Sequence, residues 1–414
     1  MSDTNELESK PRKKLITRRR ALTLGALAAL GGGGGWALAK RYGGHELPPS
    51  MGGVSPLDAP GFRPDQAKLD AIKDLQVRSF ADMDKLPWFT RSAEGELLLR
   101  KDIGLPDAVD IHTHFGWRHG IGATIDMDRR CPVQYFYDFD RDQDVLFEHD
   151  HPGGTEGRDI TIEAAGILVH TPSRNQTHTA ANLIAELNAM HLSQACLLPI
   201  EIPTGSHHAA DTLAAIQRDS RFVPFGGVNP RGWSAKHEDV LSEQIKAYGI
   251  RGIKYHPVFQ FVPPDHDDAM AMFEFCAAHN LLVFSHIGYT GSELSFMRAN
   301  SEPHRLHRPL EAFPNLKLVC LHTGVRMIDE TLEVARKHPE QVWLGLSGQP
   351  VPNITYILER YDTSRILFGS DWPFYPIAVM LARVLAATEG NDAVRQGVLK
   401  DNAARLLDTG GAVA

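Results

Sequence analysis

The sequence predicts an α/β protein built as a (β/α)8 barrel, on three observations. Between Ala108 and Leu407, eight short apolar runs rich in β-branched residues alternate with segments of helical periodicity. The ends of those runs carry histidines, a lysine and an aspartate, where a packed core would place Val, Ile or Leu. No glycine-rich turn follows the first run, so a doubly wound dinucleotide-binding sheet, which shares the alternation, has no support.

The chain has 414 residues, 43% hydrophobic and 23% charged, a composition ordinary for a globular protein. A single barrel of about 250 residues or more fits this length with extensions. The net charge is −8, and residues 1–39 carry seven Lys or Arg against three Asp or Glu, so the remainder stands at −12. That balance, without a basic stripe beyond the N-terminus, argues against nucleic acid as a partner.

Residues 1–39 read as a leader. The basic run Lys10 to Arg20 ends in Thr17-Arg18-Arg19-Arg20, and an uncharged stretch, Ala21 to Ala39, closes in Ala37-Leu38-Ala39. The pattern resembles a twin-arginine export signal, which implies the twin-arginine translocation machinery as a partner and a periplasmic location. The alternative is an uncleaved membrane anchor, for which the five glycines Gly31 to Gly35 make a poor helix. That run is not a phosphate loop, because it follows no strand and lacks the Gly-Lys-Ser/Thr ending. Residues 40–107 form a linker and an N-terminal helical extension. Tyr42 to Pro64 is rich in Gly and Pro, and Asp65 to Leu86 has helical spacing, with Leu69, Ile72, Leu75, Val77 and Phe80 as its apolar side.

The barrel occupies residues 108–408. Its first strand begins at Ala108, and a polar stretch at about 116–166 follows. That stretch is too long for an ordinary connection and reads as an insertion over one end of the fold. Tyr135, Phe136, Tyr137 and Phe139 within it either line a pocket or pack the insertion itself. A helix near Thr177–Met190 leads to strands Ala195–Ile200, Phe222–Val228 and Ile250–His256, the last two separated by a helix near Ala235–Tyr248. Helix Asp267–His279 precedes strand Leu281–Ile287. The sixth, seventh and eighth strands are Leu316–His322, Val342–Ser347 and Ile366–Ser370. Helices are expected near Ile328–Lys337, Asn353–Glu359, Ile377–Ala387 and Asp392–Leu407. The four cysteines, Cys131, Cys196, Cys276 and Cys320, have neither zinc-ribbon nor disulfide-scaffold spacing and read as small reduced apolar residues.

The first strand carries the chemistry. In Ala108-Val-Asp-Ile-His-Thr-His-Phe115, side chains alternate faces, so His112 and His114 share one. Two neutral imidazoles at that spacing can hold one divalent metal at little ordering cost. In such barrels the site lies at the C-terminal strand ends. Those ends also offer Glu201, Asn229, Lys254, His256, His286, His322 and Asp371. Asp371 alone would also suit a helix N-cap before Pro373. His119, His149, His151, His207, His208, His304 and His307 read as loop histidines without a site role.

Taken together, Asp110-Ile-His-Thr-His114, Gly252-Ile-Lys-Tyr-His-Pro257, His286, Leu321-His-Thr-Gly324, Leu367-Phe-Gly-Ser-Asp-Trp-Pro373 and Asn402-Ala-Ala-Arg-Leu-Leu407 resemble the amidohydrolase superfamily. The closer resemblance is to its amidohydrolase-related branch, which includes aminocarboxymuconate-semialdehyde decarboxylase. The resemblance implies that His112, His114, His286 and Asp371 bind one divalent metal, most often zinc, with manganese as the other candidate. It also implies that His322 sits beside the metal as acid/base or carbonyl polariser, and Asp371 suits a base that accepts a proton from water. In some superfamily members a strand-four lysine is carboxylated and bridges two metals, whereas in the closer branch it is no ligand. Lys254 and His256 are then substrate-binding or mouth-shaping residues.

Three functions follow. The first is a metal-dependent hydrolase of an amide, ester or lactone. The second is a non-oxidative decarboxylase of a small aromatic or unsaturated acid, for which Arg298 or Arg326 can pair with the substrate carboxylate. The third is an exported binding protein without catalysis, against which the full ligand set argues. The partner is a small-molecule substrate, and a homodimer is the default assembly.

Overall fold

Eight parallel strands close into a cylinder in the computed structural model, which describes residues 62–118, 124–148, 174–203, 206–289 and 295–411. The leader, most of the linker and the insertion residues 119–123 and 149–173 lie outside the described residues. The strands are β1 (Ala108–Thr113), β2 (Leu192–Leu197), β3 (Phe222–Pro224), β4 (Gly252–Tyr255), β5 (Leu282–Gly288), β6 (Leu318–Val325), β7 (Val342–Gly345) and β8 (Ile366–Leu367). They pair in parallel as β1-β2-β3 and as β4-β5-β6-β7-β8. Two seams join these sheets. Gly226 bridges Ile253, with Gly226 N donating to Gly252 O at 2.8 Å and Lys254 N to Gly226 O at 3.0 Å. Thr113 bridges Trp372, and Ile111 N donates to Phe368 O at 3.1 Å. The fold is the expected (β/α)8 barrel.

Both faces of the strands are buried, as the continuous apolar runs require. Val109, Ile111, Cys196, Val223, Phe284, Leu321 and Leu367 form one cluster. Side chains from six strands can meet this way only inside the cylinder. Ala403, Leu406 and Leu407 of the last helix join that cluster, and Gly410 abuts Leu282 at the start of β5. The last helix therefore plugs the end opposite the histidines. Cys196, Cys276 and Cys320 are buried thiols and Cys131 is half-buried; all four are unpaired.

The N-terminal extension departs from expectation. One helix does not run from Asp65 to Leu86; it spans Gln66–Asp74, capped by Asp65, and a separate 3-10 turn spans Phe80–Lys85. Gln76 has φ 48°, a left-handed backbone that an α-helix does not contain, and the chain turns there. A hairpin, Phe89–Arg91 with Leu97–Leu99, follows that the sequence reading did not identify. Helix Ile377–Ala387 is buried on every side, because the extension packs on it from outside the ring. No helix among the described residues is long and apolar enough to cross a membrane.

The described part of the insertion crosses the loop after β8. Phe136 N and Tyr137 N donate to Pro373 O and Phe374 O, each at 3.2 Å. Of its four aromatics, Phe136 stacks on Phe374 with ring centres 4.4 Å apart, while Tyr137 and Phe139 pack on Tyr375. Tyr135 donates its hydroxyl to Glu186 at 2.6 Å.

Candidate metal centre

The two histidines of β1 end at one point. His112 Nε2 and His114 Nε2 lie 3.0 Å apart, and Asp371 Oδ1 is 3.2 Å from each. Asp371 reaches them from the end of β8 with a left-handed backbone, φ 61°, and its N–H donates to His112 O at 2.7 Å. It caps no helix; the next one starts at Ile377. Below them, Asp110 Oδ1 accepts from His112 N and Ser370 N, each at 2.9 Å, and so ties the first strand to the last.

The partners of the other ring nitrogens decide which atoms face the centre. His114 Nδ1 donates to Leu198 O and His322 Nδ1 to Ser347 O, at 3.0 Å for the latter. A carbonyl only accepts, so both Nδ1 atoms carry the proton and both Nε2 atoms carry bare lone pairs. His112 Nδ1 lies 2.8 Å from Ser347 Oγ, a hydroxyl able to accept, which lets this ring present a bare Nε2 as well. Ligating atoms of His112, His322 and Asp371 all lie within 4.8 Å of one another. Bare nitrogens and a carboxylate oxygen converging in a buried space call for a cation.

His286 stands at the same end. Its ring centre is 4.8 Å from that of His322, and its Nε2 is buried with no hydrogen-bond partner among the described residues. An orphaned buried nitrogen is costly unless a ligand takes its lone pair. The structure groups His112, His322 and Asp371 as the residues able to hold one divalent ion such as zinc or manganese, with His114 Nε2 against His112 and Asp371 and the unpartnered His286 beside His322. Lys254 Nζ is 3.1 Å from His112 Nε2, deep in the barrel. His256 stacks on His286 with ring centres 4.1 Å apart, and its Nδ1 accepts from Phe259 N at 3.3 Å. In its neutral form His256 therefore keeps the proton on Nε2 and is a donor.

Burial governs the charges. It holds His112, His114, His256 and His286 well below the usual imidazole range, and lowers His322 to about 4. All five are neutral at pH 7, as metal ligation needs. Burial raises Asp371 to about 6 against the pull of His322 and Lys254, and lowers Lys254 to about 7. His322 and Lys254 are the groups that act electrically on Asp371 against its burial. Arg298 is half-buried with its guanidinium 5.1 Å from the Tyr289 ring centre, and Arg326 is exposed.

Several supporting residues escaped the sequence reading. Ser347, after β7, touches both His112 and His322, and Gln349 donates to His322 O. Glu186 accepts from Tyr135, from Trp372 Nε1 at 2.7 Å and from Ile377 N at 3.2 Å, which anchors the loop carrying Asp371. Trp117 stacks beside His114 at 5.9 Å, with Phe374 at 6.2 Å, and walls one side of the centre. His208, read as a loop histidine, is buried on helix His208–Ala215, where it accepts from Ile200 N at 2.9 Å and faces Phe115 O at 3.1 Å. His307 also lies on a helix, His307–Ala312. A buried serine next to a strand end has no ligating signature, and only its partners reveal it.

Fold and site together define a barrel built around a candidate metal centre. A family model described as amidohydrolase matches residues 109–409, and the chain belongs to that family, whose members use a divalent metal. No curated protein matches the chain. Among solved structures, it is similar to an uncharacterized TIM-barrel protein from Bordetella bronchiseptica, 21% identical over 55% of this chain and 82% of that one, TM-score 0.47. It is also similar to the 5-carboxyvanillate decarboxylase of Novosphingobium aromaticivorans, solved with manganese, at 14% identity over 73% and 96% of the two chains, TM-score 0.47. A third is a probable 2-pyrone-4,6-dicarboxylic acid hydrolase from Acinetobacter baumannii, 15% identical over 73% and 100%, TM-score 0.43.

Proposed function

We propose that this protein is a metal-dependent hydrolase that attacks an amide, ester or lactone with activated water. The observation that carries this reading is the meeting of His112 Nε2, His114 Nε2 and Asp371 Oδ1 within 3.2 Å, beside a base-ready His322. When bound, a divalent ion supplies Lewis acidity, which acidifies water and polarises a carbonyl. Asp371 is ionised above about pH 6 and takes the proton that the attacking water releases. The His322 tautomer refines its expected role. With its proton on Nδ1, neutral His322 accepts at Nε2, so it orients water or relays the proton and does not donate to an oxyanion. Donation to the developing negative charge falls to His256 Nε2–H and to Lys254. Asp371 or His322 then returns the proton to the leaving group.

A second reading, decarboxylation, is favoured by Lys254. When protonated, Lys254 would add its charge to that of a divalent cation opposite Asp371, a balance that welcomes an anionic substrate. Turnover in H2(18)O by the zinc- or manganese-loaded protein separates the two. A panel of lactones, esters, amides and aromatic acids should yield product acid carrying (18)O. Release of CO2 without (18)O incorporation would overturn hydrolysis in favour of decarboxylation. Metal binding with neither product would favour a binding protein. The twin-arginine leader and the periplasmic location belong to the same proposal.

A further inference from the structure

A second cluster of metal-ligand chemistry lies at the other end of the barrel. His307 and Glu311 stand one turn apart on helix His307–Ala312, the spacing that puts two side chains on one face. His338 follows helix Ile328–Lys337 just before β7. Ligand atoms of these three residues lie within 4.8 Å of one another. His307 Nδ1 and His338 Nε2 are 3.0 Å apart. Two zinc–nitrogen bonds at a tetrahedral angle place their nitrogens about 3.3 Å apart, so a small widening admits an ion.

The frame around the cluster is fixed. Gln341 Nε2 donates to Leu310 O, Phe313 O and Leu316 O, which fastens the loop after His338 to the end of the other helix. His338 O accepts from Val342 N at 3.1 Å, which ties it to β7. Nearby cations are already paired. Arg305 binds Asp265 at 2.8 Å, Arg308 binds Asp267 at 2.9 Å, and Lys337 binds Glu333 at 2.8 Å. A surface hollow of ≈ 550 Å³ lined by Asp265, His304, Arg305, His307, Arg308 and Glu311 opens His307 and Glu311 to solvent.

We propose that His307, Glu311 and His338 form a second, peripheral site for a zinc-class divalent ion. Two imidazoles and a carboxylate suit Zn2+, Co2+ or Ni2+, with water completing the shell. The ion would clamp the segments that lead into β6 and β7, at the end remote from the catalytic centre. The simpler arrangement, a direct hydrogen bond between the two rings, is the competing outcome.

The test compares the full-length protein with H338Q and E311Q variants, each equilibrated with Zn2+ alone and then dialysed. Wild type should hold one more zinc per chain than H338Q. E311Q should bind that ion at least tenfold more weakly, since even outer-shell losses cost 10–100-fold. Turnover should be unchanged, and both variants should melt like wild type in EDTA. Equal zinc in all three proteins would overturn the site. Glu311 is exposed, so E311Q keeps the test informative if H338Q folds poorly. Tight zinc retention by E311Q would then overturn it.

Discussion

Replacing Asp371 with Asn should stabilise the metal-free protein and destabilise the loaded one. Burial raises the Asp371 carboxyl from 3.8 to about 6. Between those values the folded state holds a proton that the unfolded state has lost, so stability falls as pH rises through that window. At about 1.36 kcal/mol per tenfold change in ionisation, the loss comes to about 3 kcal/mol. Asparagine keeps the shape and removes the charge. Urea unfolding in EDTA should therefore find Asp371→Asn more stable than wild type at pH 7.5 by up to about 3 kcal/mol, with the gap closing toward pH 4. Adding zinc should reverse the order, because a ligand bound at a thousand times its Kd stabilises by about 4 kcal/mol and the variant has lost a ligand. The reasoning fails if the metal-free variant is no more stable than wild type at pH 7.5, or if the gap widens as pH falls.

Three other perturbations probe the same architecture. Ser347→Ala removes the hydroxyl beside His112 Nδ1 and His322 Nδ1, and competition with a chelator should show metal affinity reduced by about 10–100-fold. His322→Asn should lower turnover by about 10²–10⁴-fold while metal content, read by elemental analysis, stays near wild type; loss of the ion would move His322 into the ligand set. Replacing Arg18 and Arg19 with Lys should strand the precursor in the cytoplasm, as fractionation and immunoblotting would show, and normal export would assign the leader another route.

The metal centre was legible where backbone periodicity alone determines side-chain placement. His112 and His114 are two apart on a strand, so their convergence needed no tertiary information. Asp371 alone could have been a helix N-cap before Pro373, and it was legible only with the histidines at the other strand ends. What stayed hidden depends on partners far along the chain. The tautomer of His322 is fixed by a carbonyl 25 residues away, and the donor character of His256 by a backbone N–H inside the next turn. Glu186, half-buried on helix Ala180–Ala189, is another such residue, for its role shows only in the hydrogen bonds from Trp372 and Tyr135. The break at Gln76 was invisible because glutamine is a good helix former, and tertiary packing overrode that preference.

The seam between β1 and β8 sets the order in which this protein can mature. His114 and Asp371 are 257 residues apart in sequence, yet they meet at one point. A nascent chain that has made only its first strands offers the two histidines without Asp371, a weak and unselective pair. The candidate site comes into being only when the last strand docks against the first, since Asp371 follows β8. Assembly of the candidate site and closure of the barrel are therefore one event.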